Sequence, residues 1–134
     1  MYRQSCKKGM VQNMATILII DDSRTSRKVL KNLLESDGHK IIAEAVNGEE
    51  GISKFIEFSP DIVTMDITMP VMDGIEALRQ IRAINDQAKV VMVTAASQAY
   101  KMREAIECGA AEFLAKPFAP EQITEIINRV AETN

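Results

Sequence analysis

Short apolar segments rich in β-branched residues alternate five times with longer segments of helical periodicity. The strand-like segments lie at residues 17–20, 39–45, 62–70, 89–94 and 112–115, and the helix-like segments at residues 23–37, 49–58, 75–84, 97–108 and from 120 onward. This alternation predicts a parallel sheet with helices on both faces, joined by right-handed crossovers. We therefore predict an α/β fold of the flavodoxin-like kind, with a five-stranded, doubly wound parallel sheet in the order 2-1-3-4-5 and five helices.

The stretch 62–70 says most about where a site would lie. Apolar and β-branched residues lead up to Asp66, and Pro60 and Pro70 bracket the segment. This composition is typical of a strand in the middle of a parallel sheet, and open α/β sheets bind ligands at the carboxyl ends of their strands. Asp66 is therefore either a site residue or a helix cap, and this segment alone leaves both interpretations open.

Residues 1–14 differ in composition from the rest of the chain. They carry Arg3, Lys7 and Lys8 without any acidic residue, and they show no periodicity. We expect a flexible N-terminal extension there, followed by one folded domain over residues 15–134. The whole chain has a net charge of −3, and removing the +3 of the extension leaves −6 for the domain. An acidic domain argues against nucleic acid as a direct partner.

From the sequence we expect neither a membrane-spanning segment nor a secretion signal. No apolar run reaches about 18 residues, and the first residues lack a continuous apolar core. Cys6 and Cys108 have neither metal-binding nor redox spacing, so we expect reduced thiols. These features favour a cytoplasmic location without membrane contact.

Polar side chains stand at the ends of four predicted strands. Asp21 and Asp22 end the first strand, Asp66 the third, Thr94 the fourth and Lys116 the fifth. Because the carboxyl ends of parallel strands lie at one edge of the sheet, all five side chains should converge. Any one of them alone could be a solvated turn residue or a cap. Their joint placement favours a site.

The chemistry of this site follows from its charges. Three carboxylates in close proximity repel each other, so they either hold protons or bind a cation. Oxygen donors suit a hard divalent ion, which in a cytosol means Mg²⁺. Lys116 adds a second positive centre and Thr94 a hydroxyl donor. This combination suits phosphoryl transfer, and a carboxylate can itself be the nucleophile and form an aspartyl phosphate.

Four motifs carry these residues and extend beyond them. They are Ile-Ile-Asp21-Asp22-Ser, Met-Asp66-Ile-Thr-Met-Pro70-x-Met-Asp-Gly74, Val-Thr94-Ala95 and Lys116-Pro117-Phe118. Together they resemble the response regulator receiver domains of two-component signalling, and more closely the stand-alone chemotaxis type. The resemblance covers residues 15–133 and is far more specific than any single short motif.

The resemblance implies a role for each acidic residue. Asp66 is similar to the phosphoacceptor of the family. Asp22 corresponds to a direct Mg²⁺ ligand, and Asp21 lies nearby or acts through water. The backbone carbonyl of Thr68 would complete the protein ligands, with Asp66 itself among them.

The resemblance also implies how the phosphoryl group is sensed. Thr94 would bind this group by a hydrogen bond, and Lys116 would form an ion pair with it. The peptide bond between Lys116 and Pro117 would be cis, as in other members of the family. Phe113 stands where relatives carry a switch aromatic, often tyrosine. It is either that switch or a plain core residue of a buried strand, and as phenylalanine it lacks a hydroxyl donor.

The partners are likewise implied by the family. A sensor histidine kinase would donate the phosphoryl group, and an output protein would bind the face formed by helix 4, strand 5 and helix 5. That output is flagellar motor control in chemotaxis or, alternatively, a phosphorelay in which a histidine phosphotransfer protein receives the group. No DNA-binding output domain is expected after helix 5, so we expect output through protein contact. We also expect a monomer that catalyses only its own phosphotransfer and dephosphorylation.

Two side-chain interpretations concern regions away from the site. Tyr100, Lys101 and Arg103 lie on the fourth helix, where they form either the docking face or an ordinary solvated face. His39 is alone beside Gly38 at a helix-to-strand turn, and we expect it at the surface.

Two other functional classes fit the sequence less well. Phosphatases of the haloacid dehalogenase type need Asp-x-Asp after the first strand, whereas Asp21 and Asp22 are adjacent. A flavin carrier needs a phosphate-binding loop rich in Ser, Thr and Gly at that point. The two acids would repel a phosphate there.

Overall fold

A computed structural model describes residues 14–132, so the predicted N-terminal extension lies outside the described residues except for Met14. In chain order the elements are β1 Thr16–Ile20, α1 Arg24–Ser36, β2 Lys40–Ala45, α2 Gly48–Phe58, β3 Ile62–Met65, α3 Gly74–Ile84, β4 Lys89–Ala95, a 3₁₀ helix Ala96–Lys101, α4 Met102–Glu107, β5 Glu112–Lys116 and α5 Pro120–Glu132. The strands pair in parallel in the order β2-β1-β3-β4-β5. The predicted fold class and strand order are confirmed.

The three inner strands are covered on both faces. All residues of β3 are buried, as are all of β1 except its first residue. The edge strands β2 and β5 are mostly half-buried. This difference explains why β1, β3 and β4 have nearly continuous apolar sequences, since neither face of an inner strand meets water.

The helices form two layers, one on each side of the sheet. Phe55 of α2, Leu78 of α3 and Ala105 of α4 pack into one core cluster. Leu34 of α1 and Ile127 of α5 belong to the cluster on the other face. None of the helices among residues 14–132 is both long enough and apolar enough to cross a membrane.

The start of α4 differs from the prediction. Side-chain oxygens of Ser23, Asn47 and Asp73 cap α1, α2 and α3 by accepting backbone N–H bonds. Ser97 begins the predicted fourth helix but, unlike these three residues, caps no helix. Strand β4 continues to Ala95 and passes directly into the 3₁₀ helix, which places Ser97 inside its first turn, and neither this helix nor α4 has a side-chain cap.

His39 lies in the interior, contrary to the expected surface position. It is 4% exposed. Its Nδ1 accepts the backbone N–H of Ala15 at 3.1 Å, and its Nε2 lies 3.0 Å from Oδ1 of Asn128 in α5. The ring therefore joins the turn before β2 to the start of the sheet and to the last helix.

Candidate functional site

The carboxyl edge of the sheet brings together the five polar residues predicted to converge. Asp21 follows β1 directly, Asp66 follows β3, and Thr94 and Lys116 lie at the ends of β4 and β5. These four strands are consecutive neighbours in the sheet. Asp22 stands beside Asp21 and is exposed. The fold therefore places carboxylates, a hydroxyl and an ammonium group at one edge.

The acidic part of the site has the composition of a cation site. Asp21, Asp22 and Asp66 each offer a carboxylate oxygen, and these atoms all lie within 4.8 Å of one another. Asp21 is only 2% exposed, whereas Asp22 faces solvent. Clustered carboxylates of this kind favour a bound cation, and oxygen-only donors fit a hard divalent ion such as Mg²⁺. The residues present therefore fit the predicted metal.

The two carboxylate oxygens of Asp66 have different surroundings. Oδ1 accepts hydrogen bonds from the backbone N–H of Ile67 at 2.7 Å and from the Thr94 hydroxyl at 2.5 Å. Oδ2 lies 3.6 Å from Nζ of Lys116. The side chain is 12% exposed. Hydrogen bonds thus hold one oxygen in place, and the other faces the ammonium group.

Lys116 sits between two carboxylates and a hydroxyl. Its Nζ donates to Oδ2 of Asp21 at 3.0 Å and to Oγ of Ser26 at 3.2 Å, in addition to the longer ion pair with Asp66. The peptide bond to Pro117 is cis, as the family resemblance implied. One ammonium group offsets part of the charge of the three carboxylates, so the cluster keeps an excess of negative charge.

The segment after Asp66 is held in place by a contact with the start of α3. The N–H of Gly74, the first residue of that helix, donates to the carbonyl of Ile67 at 2.7 Å. A Cβ at position 74 would collide with the backbone carbonyl of Asp66, so only glycine fits there. Ile67 and Met69 are buried, whereas Thr68 between them is exposed. The loop is anchored on both sides of Thr68, and the ligand role of its carbonyl stays a prediction.

Phe113 is separate from this cluster. It is half-buried in β5, where it pairs with Met92 and packs against the core cluster that contains α3 and α4. Next to it in the fold, α4 and the preceding 3₁₀ helix expose large apolar side chains. These are Tyr100, Met102 and Ile106, and Tyr100 is 75% exposed.

Two residues of α1 also reach this edge, and the sequence interpretation missed them. Ser26 accepts a hydrogen bond from Lys116, and Arg27 donates to the backbone carbonyl of Asp21 at 2.7 Å. Their position in the sequence could have predicted this, since both lie in or next to the first turn of the helix that starts at the carboxyl end of β1. Residues there point back towards the strand end, because helical side chains lean towards the N-terminus.

The fold and this edge together define a receiver domain. The family model for the response regulator receiver domain matches residues 17–128, and the chain belongs to that family.

Particular relatives resemble the chain over most of its length. The chemotaxis protein CheY of Bacillus subtilis (strain 168) is 45% identical over 113 residues, which cover 84% of this chain and 94% of that protein. CheY of Thermotoga maritima is 42% identical over 116 residues, covering 87% and 97%. Among solved structures, the CheX-CheY-BeF3-Mg complex from Borrelia burgdorferi aligns with a TM-score of 0.84 at 34% identity, covering 88% of this chain and 90% of that one.

Proposed function

We propose that this protein is a response regulator switched by phosphorylation of Asp66, with a sensor histidine kinase as donor and Mg²⁺ as cofactor. The observation that carries the proposal is the meeting of three carboxylates, the Thr94 hydroxyl and the Lys116 ammonium at one sheet edge. Asp21, Asp22, Asp66 and the Thr68 carbonyl would hold the ion. Bound there, Mg²⁺ would neutralise charge on the phosphoryl oxygens.

The surroundings of Asp66 suggest how Asp66, Lys116 and Thr94 take part in phosphoryl transfer. Oδ2 is the oxygen without a hydrogen bond from the backbone or from Thr94, so it is the nucleophile. A bond forms between this oxygen and phosphorus while the bond from phosphorus to the histidine nitrogen breaks, and the electron pair stays on the imidazole. Lys116 stabilises negative charge on the transferred group, and the Thr94 hydroxyl is released to bind it.

Thr94 also links the site to an output surface. Its side chain contacts Asp66, and the chain enters the 3₁₀ helix two residues later, followed by α4. A shift of Thr94 towards a phosphoryl group would move this segment and change the space available to Phe113 in β5. The face of α4, β5 and α5, with exposed Ile106 and with exposed Tyr100 on the adjoining 3₁₀ helix, would then bind an output protein.

The relatives suggest which output this is. Several are chemotaxis proteins, and the solved complex pairs a CheY with CheX in the presence of BeF3 and Mg. Control of a flagellar motor from the cytoplasm is therefore the favoured role, with the protein acting as a signalling component that catalyses only its own phosphotransfer and dephosphorylation. The same site would serve a phosphorelay intermediate, in which case a histidine phosphotransfer protein is the partner.

Intact-mass measurement tests the phosphorylation step. After incubation with acetyl phosphate and Mg²⁺, the wild-type protein should gain one phosphoryl group, and Asp66→Asn should gain none because the nucleophilic oxygen is lost. Asp86→Asn, an exposed acid before β4, is the matched control and should label like wild type. An unlabelled wild-type protein, or a labelled Asp66→Asn variant, rules the proposal out.

Capture of partners with and without beryllofluoride separates the two roles. A motor-switch protein retained only with beryllofluoride supports chemotaxis. A histidine phosphotransfer protein retained instead supports the phosphorelay.

A further inference from the structure

Arg27 of α1 makes two charge-assisted hydrogen bonds in a partly buried position. Its Nη1 donates to the backbone carbonyl of Asp21 at 2.7 Å, and its Nε donates to Oε1 of Glu44 in β2 at 3.1 Å. The side chain is 14% exposed. A guanidinium group with fixed planar donors that is held at two points has little freedom to move.

The carbonyl that Arg27 holds belongs to the peptide plane between Asp21 and Asp22. That plane is rigid, so fixing its oxygen fixes the direction in which the next residue leaves. On the strand side, the N–H of Asp21 donates to the carbonyl of Ala45 at 3.0 Å. Its carboxylate is held by Lys116 and by the N–H of Ser23. Asp21 is therefore fixed independently of any ion.

Asp22 is different, because its carboxylate forms no hydrogen bond or ion pair with any residue in the described range 14–132. Its direction depends on the backbone that precedes it. Arg27 is the side chain that holds this backbone.

We propose that Arg27 is a positioning residue for the cation site: with Glu44 as its anchor, it aims the Asp22 carboxylate at the ion by fixing the Asp21–Asp22 peptide plane. The inference rests on the proposed function, since it concerns the same Mg²⁺ site. In this role Arg27 would act through the backbone rather than as a ligand of the ion.

Charge alone predicts the opposite effect, which makes the proposal easy to test. A guanidinium near the carboxylates repels a divalent cation, so removing it would tighten Mg²⁺ binding if only the charge mattered. Glu44, which pairs with Arg27 at 3.1 Å, offsets part of that charge. If positioning dominates, removal weakens binding instead. The sign of the change decides between the two effects.

The test is calorimetric titration of the intact protein with Mg²⁺ alone. Arg27→Ala should raise the Kd for Mg²⁺ by about tenfold, the scale seen when a group that orients a metal ligand is lost. Arg27→Lys keeps the positive charge but has a single donor group, and it should raise the Kd for Mg²⁺ by about threefold. Lys31→Ala is the matched control, since Lys31 pairs with the same Glu44 at 3.7 Å without contacting Asp21, and should leave the Kd unchanged.

A second measurement separates positioning from general damage to the fold. The Mg²⁺ concentration for half-maximal labelling by acetyl phosphate should rise in Arg27→Ala, while the rate at saturating Mg²⁺ stays at the wild-type value. Tighter or unchanged Mg²⁺ binding in Arg27→Ala overturns the inference. If that variant does not fold, Arg27→Lys decides by the same criterion. A wild-type protein that neither binds Mg²⁺ nor becomes labelled overturns the proposed function itself.

Discussion

Helix α1 and the segment that contains α4 both border the site, and they are attached to the protein in different ways. The first has a side-chain cap at Ser23, buries Leu30 and Leu34, and sends Ser26 and Arg27 to the sheet edge. The second begins as a 3₁₀ helix without a side-chain cap, and its buried residue is a small alanine. Its large apolar side chains face solvent.

This difference assigns different tasks to the two sides of one site. On the α1 side, Arg27 contacts the Asp21 carbonyl and Ser26 contacts the Lys116 ammonium group, which gives this border the fixed positions that a cation site requires. The α4 side contributes few buried contacts, so its local opening costs little free energy. The proposed function uses this difference: under it, the α4 segment changes conformation when Thr94 moves, while the α1 border stays fixed.

The largest contrast should appear when each helix loses a large side chain. Leu34→Ala removes a fully buried side chain from α1 and should lower the free energy of unfolding by about 3 kcal/mol. Ile106→Ala on α4 removes a side chain that is 47% exposed and should cost less than about 1 kcal/mol. Urea unfolding followed by circular dichroism measures both. Equal losses in the two variants would contradict the comparison.

A smaller effect is expected at the polar contacts that connect each helix region to its neighbour. His39→Ala leaves the Ala15 N–H and the Asn128 side chain without their partner, and should cost about 2 kcal/mol. Arg79→Ala breaks the exposed ion pair between α3 and Glu104 of α4 and should leave the urea midpoint unchanged. A double-mutant cycle of His39 and Asn128 should show coupling, and additive losses would argue against the buried contact.

The smallest contrast concerns the helix starts. Ser23→Ala removes the cap of α1 and should cost about 1 kcal/mol, because the N–H of Ser26 loses its acceptor. Ser97→Ala should change the free energy of unfolding by less than about 0.5 kcal/mol, since that hydroxyl caps nothing. The same urea experiment compares the two. A loss at Ser97 as large as that at Ser23 would show that the fourth helix is capped in solution.

The sheet and the convergence of the site residues were accessible from sequence for a physical reason. Inner parallel strands must be apolar on both faces, so β1, β3 and β4 stand out as continuous apolar runs. Once the order of the strands in the sheet is known, the chain connectivity brings Asp21, Asp66 and Lys116 to one edge. No knowledge of side-chain conformation is needed for that step.

The features that sequence missed depend on contacts between distant parts of the chain. His39 is buried because Asn128, 89 residues later, lies against it. Arg27 resembles any solvated helical arginine until Glu44 and the Asp21 carbonyl are in place. The 3₁₀ start of α4 has no signature either, because alanine, serine and glutamine tolerate both helix types. Its geometry follows from how β4 ends at Ala95.

The pairing of Asp21 with Lys116 has a consequence for how the protein is made. The two residues are 95 positions apart, and they join the first strand of the chain to the last. A ribosome releases Asp21, Asp22 and Asp66 long before Lys116, whose ammonium group offsets part of their charge. Until β5 has been translated, the nascent chain lacks the Lys116 ammonium group that pairs with Asp21 and Asp66 in the folded protein. The complete site is therefore among the last parts of the protein to form during synthesis.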